Sequence, residues 1–407
     1  MDSAPGIARG AAGTRVDVIG AGVVGAAIAW RAARAGYAVR LFDPLLAPGA
    51  AQTGASWAAG GMLAPFSEGR PGEGRVLALG AASLARWPRM ARELREQTGV
   101  DVLSARGTLM VAADGADADE LRAVAAWLGG ADGAAVVRTE PLTRAQVRAR
   151  HRPLARNLRG GLWLAGELAV DNRALLRALR RAAVDAGAVP VASRRESIAD
   201  ADADHVVVTA GTDAAALLPG LPVRPVKGEI LRLRRPPVVP PPPPFTVRAA
   251  VHGRHVYLVP RDDGLVVGAT MYEHGEDRAV TVGGVRDLIA DAQTVLPSIA
   301  EYELVDAMAG LRPMTPDNLP IIGRVEDGRD GGGAAEDVTA GGGGPRVIAA
   351  CGHGRNGVLL TAVTADAVLA ELAGAPLSEV DGLGPCRFRR DDRQQDGGRR
   401  DGIREAG

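Results

Sequence analysis

A short apolar run at residues 16–19 is followed by small residues with helical spacing over 23–35 and by a second strand-like run at Ala38–Phe42. A run of that length reads as a buried strand, and the 3.6-residue spacing behind it as a helix. Strand, helix and strand in immediate succession make a βαβ unit, which requires a parallel sheet and a right-handed crossover. Further on, 172–186 has helical spacing with Asp171 placed as its N-cap, and 205–209 is another buried strand, ending in Ala210 and Gly211. The pattern then changes. Between 228 and 267 the stretches EILRLR, HVYLVP and LVVGAT read as strands of a more antiparallel sheet, as expected of a second domain inserted into the first. Near the end 346–350 is again a strand and 361–373 again a helix, so the chain returns to the first domain. The fold class expected is α/β: a Rossmann-type dinucleotide domain with an inserted, antiparallel-sheet-rich α+β domain.

Composition narrows the function classes. The 407 residues leave room for two or three cores, and 46% hydrophobic with 24% charged residues argues against wholesale disorder. Basic and acidic side chains balance at 48 each, so no global field attracts nucleic acid or an anionic membrane. No apolar stretch has the length of a signal peptide or reaches the roughly 18 residues of a membrane span, which makes the cytoplasm the default location. Cys351 and Cys386 lie 35 residues apart, too few and too distant for a disulfide scaffold or a metal site. Lys227 is the only lysine, leaving 47 of the 48 basic residues as arginine. The 54 glycines admit two readings, flexible linkers or backbone packed closely against a ligand. Three segments look like additions to the core: a stiff polyproline II loop at 236–244, a Gly-rich insertion at 327–345 and a charged flexible tail at 384–407.

Chemistry enters with VDVIGAGVVG, where Gly20, Gly22 and Gly25 form GxGxxG between strand and helix. Gly20 permits the tight turn, Gly22 lets backbone approach a pyrophosphate, and Gly25 allows helix and strand to pack closely, with the helix N-terminus facing the phosphates. Asp43 ends the second strand 18 residues after Gly25, where an acid can accept from a ribose hydroxyl. No second such motif sits between a strand and a helix, so one dinucleotide is expected. The segment 53–65, TGASWAAGGMLAP, is too irregular for a core helix and could lay backbone against a large flat ligand.

The series VIGAGVVGAAIAW, SWAAGGML, VVTAG, VRPVKGE, YLVPR, VVGATM, GLRPMTPDNLPIIG and CGHGRNGVLLTAVTA, in this order, resembles the D-amino-acid oxidase family of flavoenzymes, most closely the glycine oxidases of thiamine biosynthesis. It spans about residues 15–383, with the Pro and Gly insertions as departures. The resemblance implies FAD held by Gly20, Gly22, Val23, Val24, Gly25, Asp43, Ser56, Gly60, Gly61, Met62 and Gly211, and by Gly352, His353, Gly354, Arg355, Asn356, Gly357, Val358 and Leu359. It implies that Arg312 binds a substrate carboxylate with help from Tyr257, that Arg355 lies near flavin and substrate, and that Met271 lines an apolar pocket. Residues 15–75, 160–215 and 305–383 would form the FAD domain, 76–159 and 216–304 the substrate domain, and 1–14 a leader. Relatives that attach FAD covalently do so through a Cys shortly before a TPD-like segment; 310–317 has none, so noncovalent FAD is expected. The implied reaction passes the Cα hydride of glycine or another small amino acid to flavin N5. The imine hydrolyses to a 2-oxo acid and ammonia, and dioxygen reoxidises the flavin to give peroxide. A dehydrogenase of the same fold using a quinone or protein acceptor, a nicotinamide enzyme and a noncatalytic flavoprotein are the alternatives, and a homo-oligomer is compatible with the resemblance.

Overall fold

The computed structural model of the protein describes residues 13–130, 137–325 and 344–388. Most of the expected leader, Gly-rich insertion and tail lies outside the described residues. Six strands form the first sheet, in the spatial order Ile321–Arg324, Arg346–Cys351, His205–Val208, Arg15–Ile19, Ala38–Phe42 and Val189–Val191. Neighbours are parallel except at the Ile321–Arg324 edge. Chain order reverses at Arg15–Ile19, with Ala38–Phe42 on one side and His205–Val208 on the other. In such sheets the crevice outside the carboxyl ends of the strands, at the reversal, receives ligands.

Helix Val23–Arg34 is buried from Val23 to Ala32, and its alanines let helices Asn172–Asp185 and Gly357–Leu372 pack directly on it. Asp171 caps the former, accepting from the Arg173 and Ala174 amides at 2.8 and 2.9 Å. The run expected to be fully apolar at 16–19 contains Asp17, which is 1% exposed and held bidentately by Arg40 at 2.6 and 2.8 Å. Both carboxylate oxygens are thus paired, the condition under which a buried charge is tolerated. Helix Gly357–Leu372 starts before the expected 361. A 3-10 turn at Gly354–Asn356 feeds into it, and Val358, Leu359 and Leu360 are already buried.

The second sheet has nine strands, mostly antiparallel, in the order Glu303–Met314, Arg224–Arg234, Gly264–Gly268, Arg254–Arg261, Thr246–Val251, Leu103–Ala112, Gly160–Val170 and Met62–Leu63, with Glu140–Thr143 beside Gly160–Val170. Helix Val282–Val295 covers it through Leu288, Ala292 and Val295. Placement differs from expectation at three points. Residues 160–170 and 305–314, assigned to the first domain, belong to this sheet, where Gly160–Val170 and Glu303–Met314 pair with the sequence-distant strands Leu103–Ala112 and Arg224–Arg234. Helix Gly74–Thr98, assigned mostly to the substrate domain, packs on Gly357–Leu372, with Trp87 Nε1 and Ser83 Oγ donating to Leu359 O at 2.8 and 2.6 Å. The Pro-rich loop opens with a turn, Val239 N–H donating to Pro236 O at 3.1 Å and Arg235 Nη1 to Val239 O at 2.6 Å, so it is not uniformly extended. Among the described residues no helix is long and apolar enough to cross a membrane.

Trp87 is fully buried at 0% exposure. Trp87→Ala should cost about 3–5 kcal/mol of stability, read from the urea midpoint, whereas Trp87→Phe, which forfeits chiefly the bond to Leu359 O, should cost about 1 kcal/mol.

Candidate active site

Four strand ends of the parallel sheet converge, so that Gly20, Asp43, Thr209 and Gly352 follow Ile19, Phe42, Val208 and Cys351. Gly20 has φ +105°, and a Cβ there would lie 2.6 Å from Thr209 O. At Gly25 a Cβ would lie 1.8 Å from Gly20 O. Gly25 therefore sits behind the turn, not on the ligand wall, and its missing side chain is what lets helix and turn close. Thr209 Oγ1 bridges Ile19 O and Gly20 O at 2.9 and 2.8 Å.

Asp43 has a structural task besides the expected one. Its two oxygens accept from the Ala21 and Leu45 amides, each at 2.8 Å, fastening the glycine turn to the strand end. Each oxygen keeps a lone pair, and the residue lines the crevice. Ser56 Oγ accepts from Val23 N–H at 3.1 Å, which leaves its own proton for an anion. The other first-turn amides have no intrahelical acceptor, and the helix dipole makes that end positive. Arg180, Arg194, Arg195 and Arg278 stand around the same crevice, Arg180 fixed by Ala21 O at 2.8 Å and Gln52 Oε1 at 2.9 Å. Nothing in the sequence separates these four from the other arginines.

Gly22, Ala55, Ser56, Thr209 and Gly211 line both this crevice and a second chamber, so the two adjoin. Small residues dominate the chamber. Gly61 has φ +83°, and a Cβ there would meet Val170 O at 2.1 Å. The irregular 53–65 segment is pinned by side chains: Asn172 Nδ2 donates to Ser56 O and Trp57 O, both at 2.9 Å, and Arg261 Nη2 to Gly60 O at 2.8 Å. Val23, Val24, Gly60, Met62 and Val358 line the chamber with Gly352, Gly354, Arg355 and Gly357. His353 also lines it. The residue is 4% exposed, and its imidazole lies 3.0 Å from Thr364 Oγ1 and has its pKa pulled down to about 4 by burial. Asn356 and Leu359 are not on the wall; Leu359 is core, with its carbonyl given to Trp87 and Ser83. An elongated trough with exposed amides, a cationic rim at one end and close-packed small residues at the other fits a flavin dinucleotide.

Tyr257, Arg312, Arg355 and Glu68 separate this chamber from a third, at whose mouth Met271 is 54% exposed and not an enclosed apolar wall. Three glycines shape the partition. A Cβ at Gly268 or Gly60 would meet the Tyr257 ring at 2.4 or 2.7 Å, and one at Gly228 would meet Arg312 Nη2 at 2.2 Å. Burial pushes the Tyr257 phenol up to about 12, so it stays protonated. Arg355 is locked to Glu73 Oε2 at 2.5 Å, and Arg248 pairs with Glu68 at 3.1 Å. Arg312 differs: Nη1 donates to Lys227 O and Thr270 O, both at 3.2 Å, and no described carboxylate pairs with it. Burial lowers its pKa from the usual arginine value. Glu68 is a site residue that sequence reasoning does not find, since SEGRPGEG reads only as a loop. It is positioned by the buried Glu167, which accepts from the Phe66 and Ser67 amides at 2.8 and 2.7 Å and whose pKa burial raises.

The pattern of the FAD dependent oxidoreductase (DAO) family matches residues 15–372. The glycine oxidase of Geobacillus kaustophilus (strain HTA426) is 32% identical over 374 residues, 86% of this chain and 90% of that protein. A Rhizobium etli protein named for thiamine biosynthesis, ThiO, is 34% identical over 322 residues, 77% of this chain and 88% of its own. A crystal structure of glycine oxidase from G. kaustophilus superposes with a TM-score of 0.78 at 30% identity, covering 93% of this chain and 99% of that one.

Gly25→Ala should abolish flavin retention, while Gly22→Ala, whose Cβ would meet only Ser56 Oγ at 3.0 Å, should weaken it in part; flavin absorbance per protein after gel filtration reads both. His353 supplies a pH test. Its pKa falls from 6.5 unfolded to about 4 folded, so the unfolded chain takes up the proton first and stability is lost as pH drops from about 6.5 to about 4. The contribution is roughly 3 kcal/mol. His353→Gln should flatten that part of the profile when urea midpoints at neutral and acid pH are compared.

Proposed function

The chain belongs to the DAO family of FAD-dependent oxidoreductases, and from that premise we propose that it oxidises a small amino acid, glycine foremost, to the imine and thence to the 2-oxo acid and ammonia. The observation that carries this reading is Arg312, a partly buried guanidinium on the partition beside the flavin chamber, held by main-chain carbonyls and without a described counter-ion. A cation withdrawn from water in this way calls for an anion to complete it. An α-carboxylate presents two oxygens to the two parallel donors of a guanidinium edge.

Around that ion pair the other residues take definite tasks. Tyr257 donates its phenolic proton to the same carboxylate. Glu68, on the wall of both chambers, accepts from the substrate amino group, and Arg355, immobilised by Glu73, adds positive potential beside the flavin. The dinucleotide would lie along the Gly20–Gly22 turn, Asp43 and Ser56, with its ring system between Val24, Gly60–Met62 and the main chain of 352–358. Bound FAD supplies the two-electron acceptor for the Cα hydride and returns the electrons to dioxygen as peroxide. Gly357 and Val358, which open helix Gly357–Leu372, line the chamber, where the positive end of the helix dipole favours negative charge. Cys351 is a poor candidate for a covalent link, since burial pushes its thiol up to about 12 and keeps it neutral, which supports noncovalent binding of the cofactor. The relative named for thiamine biosynthesis supports the use of glycine imine in building the thiamine thiazole ring.

Glycine in air should yield peroxide from the purified holoprotein. Arg312→Lys should keep its flavin but lose roughly 100-fold in kcat/KM, chiefly through KM, because one ammonium replaces a bidentate fork. Undiminished turnover by this variant would defeat the carboxylate reading, and flavin reduction without peroxide would point to another electron acceptor.

A further inference from the structure

Lys227, the only lysine of the chain, is 0% exposed. It extends from Arg224–Arg234, whose pairing with Glu303–Met314 sets Arg312 opposite Val226 and Leu311 opposite Lys227. Alternation along the strand puts Lys227 and Glu229 on one face, and Val226 and Gly228, which Arg312 overlies, on the other. The ammonium donates to Asp277 Oδ2 at 2.6 Å and Ala279 O at 2.7 Å, with Glu229 Oε1 at 3.6 Å. Glu229 accepts in turn from Thr281 N–H at 2.9 Å. The far end of the 269–281 segment is thereby tied to the buried face of the strand. Its near end is tied to the main chain: Lys227 N–H donates to Tyr272 O at 2.8 Å and Tyr272 N–H to Lys227 O at 2.9 Å, while Glu229 N–H donates to Thr270 Oγ1 at 2.9 Å.

What this segment delivers to the site is Thr270 O. With Lys227 O it forms the pair of acceptors on Arg312 Nη1, and that pair decides where the remaining guanidinium donors point. In a chain whose other 47 basic residues are arginine, the position takes an ammonium, a compact charge with three rotatable donors that suits three clustered acceptors better than a planar fork does. We propose that Lys227 is a positioning residue: by clamping 269–281 through Asp277 and Ala279 it holds the two carbonyls that orient Arg312 toward the substrate carboxylate. The proposal rests on the role given to Arg312 above.

The single lysine makes the clamp directly readable. Holoprotein is treated with acetic anhydride and acetylation of Lys227 is followed by peptide mapping, which separates it from the α-amino group. Lys227 in Asp277→Asn should react roughly tenfold faster than in the unaltered protein, because its reactivity tracks the opened fraction. Glycolate, a carboxylate without an amine, should bind Asp277→Asn about tenfold more weakly by flavin absorbance, since apparent affinity scales with the closed fraction, and flavin content should not change. Lys227→Met should show the same glycolate loss, with turnover falling through KM more than kcat. Equal acetylation rates, or glycolate affinity unaltered in both variants, would overturn the clamp. Failure of the carboxylate reading looks different: glycolate would leave every spectrum unchanged, that of the unaltered protein included, while the acetylation contrast persisted, so that the tie of Lys227 to 269–281 would stand and its part in orienting Arg312 toward a carboxylate would fall.

Discussion

The site depends on main chain touching main chain at the carboxyl ends of the parallel strands. Gly20 approaches Thr209 more closely than any side chain would permit, and Gly25 seats the first helix against Gly20 O. Because backbone alone makes this approach, the first-turn amides of the helix stay open toward the crevice while Asp43 and Thr209 brace the turn from either side. A bulkier turn would move the helix off the sheet, and with it the buried face from Val23 to Ala32 on which two other helices pack. Ligand binding and core packing thus share one geometric requirement.

The substrate side relies on register. Glu303–Met314 and Arg224–Arg234 pair in step from Asp306 with Arg232 to Met314 with Arg224, beyond a single irregularity near Leu304. A slip of one residue would carry Arg312 to the opposite face of the sheet, away from Tyr257 and the flavin chamber. Gly228, Gly60 and Gly268 act together as a mould, each leaving the volume that a neighbouring functional side chain fills.

Much of this was legible along the chain, and the parts that were not share a cause. Ala38–Phe42, the Asp171 cap and the turn from Gly20 to Gly25 carry local signals, an apolar run, a capping acid and a glycine spacing, and the sequence patterns located all three. Gly160–Val170 and Glu303–Met314 went to the wrong sheet because strand partners are chosen at long range, where local alternation is silent. Residues 76–98 fall in the stretch expected to form the substrate domain, yet they belong to helix Gly74–Thr98, which Trp87 commits to the first core. The late motifs marked Arg312 and Tyr257 as candidates, and the structure sets them on one partition. Glu68 and Arg180 had no comparable signal, since an acid in a polar loop and one arginine among many look the same whether or not they face a cavity.

The trough has two mouths. One lies among Arg180, Arg194 and Arg278 at its polar end, the other beside Met271 beyond Tyr257 and Arg312. The Met271 side therefore offers small molecules an approach to the partition that is distinct from the dinucleotide's crevice. Tenancy of the cofactor and traffic of the small molecules thereby become separate problems, the first set by the glycine turn and its bracing side chains, the second by the side chains of the partition.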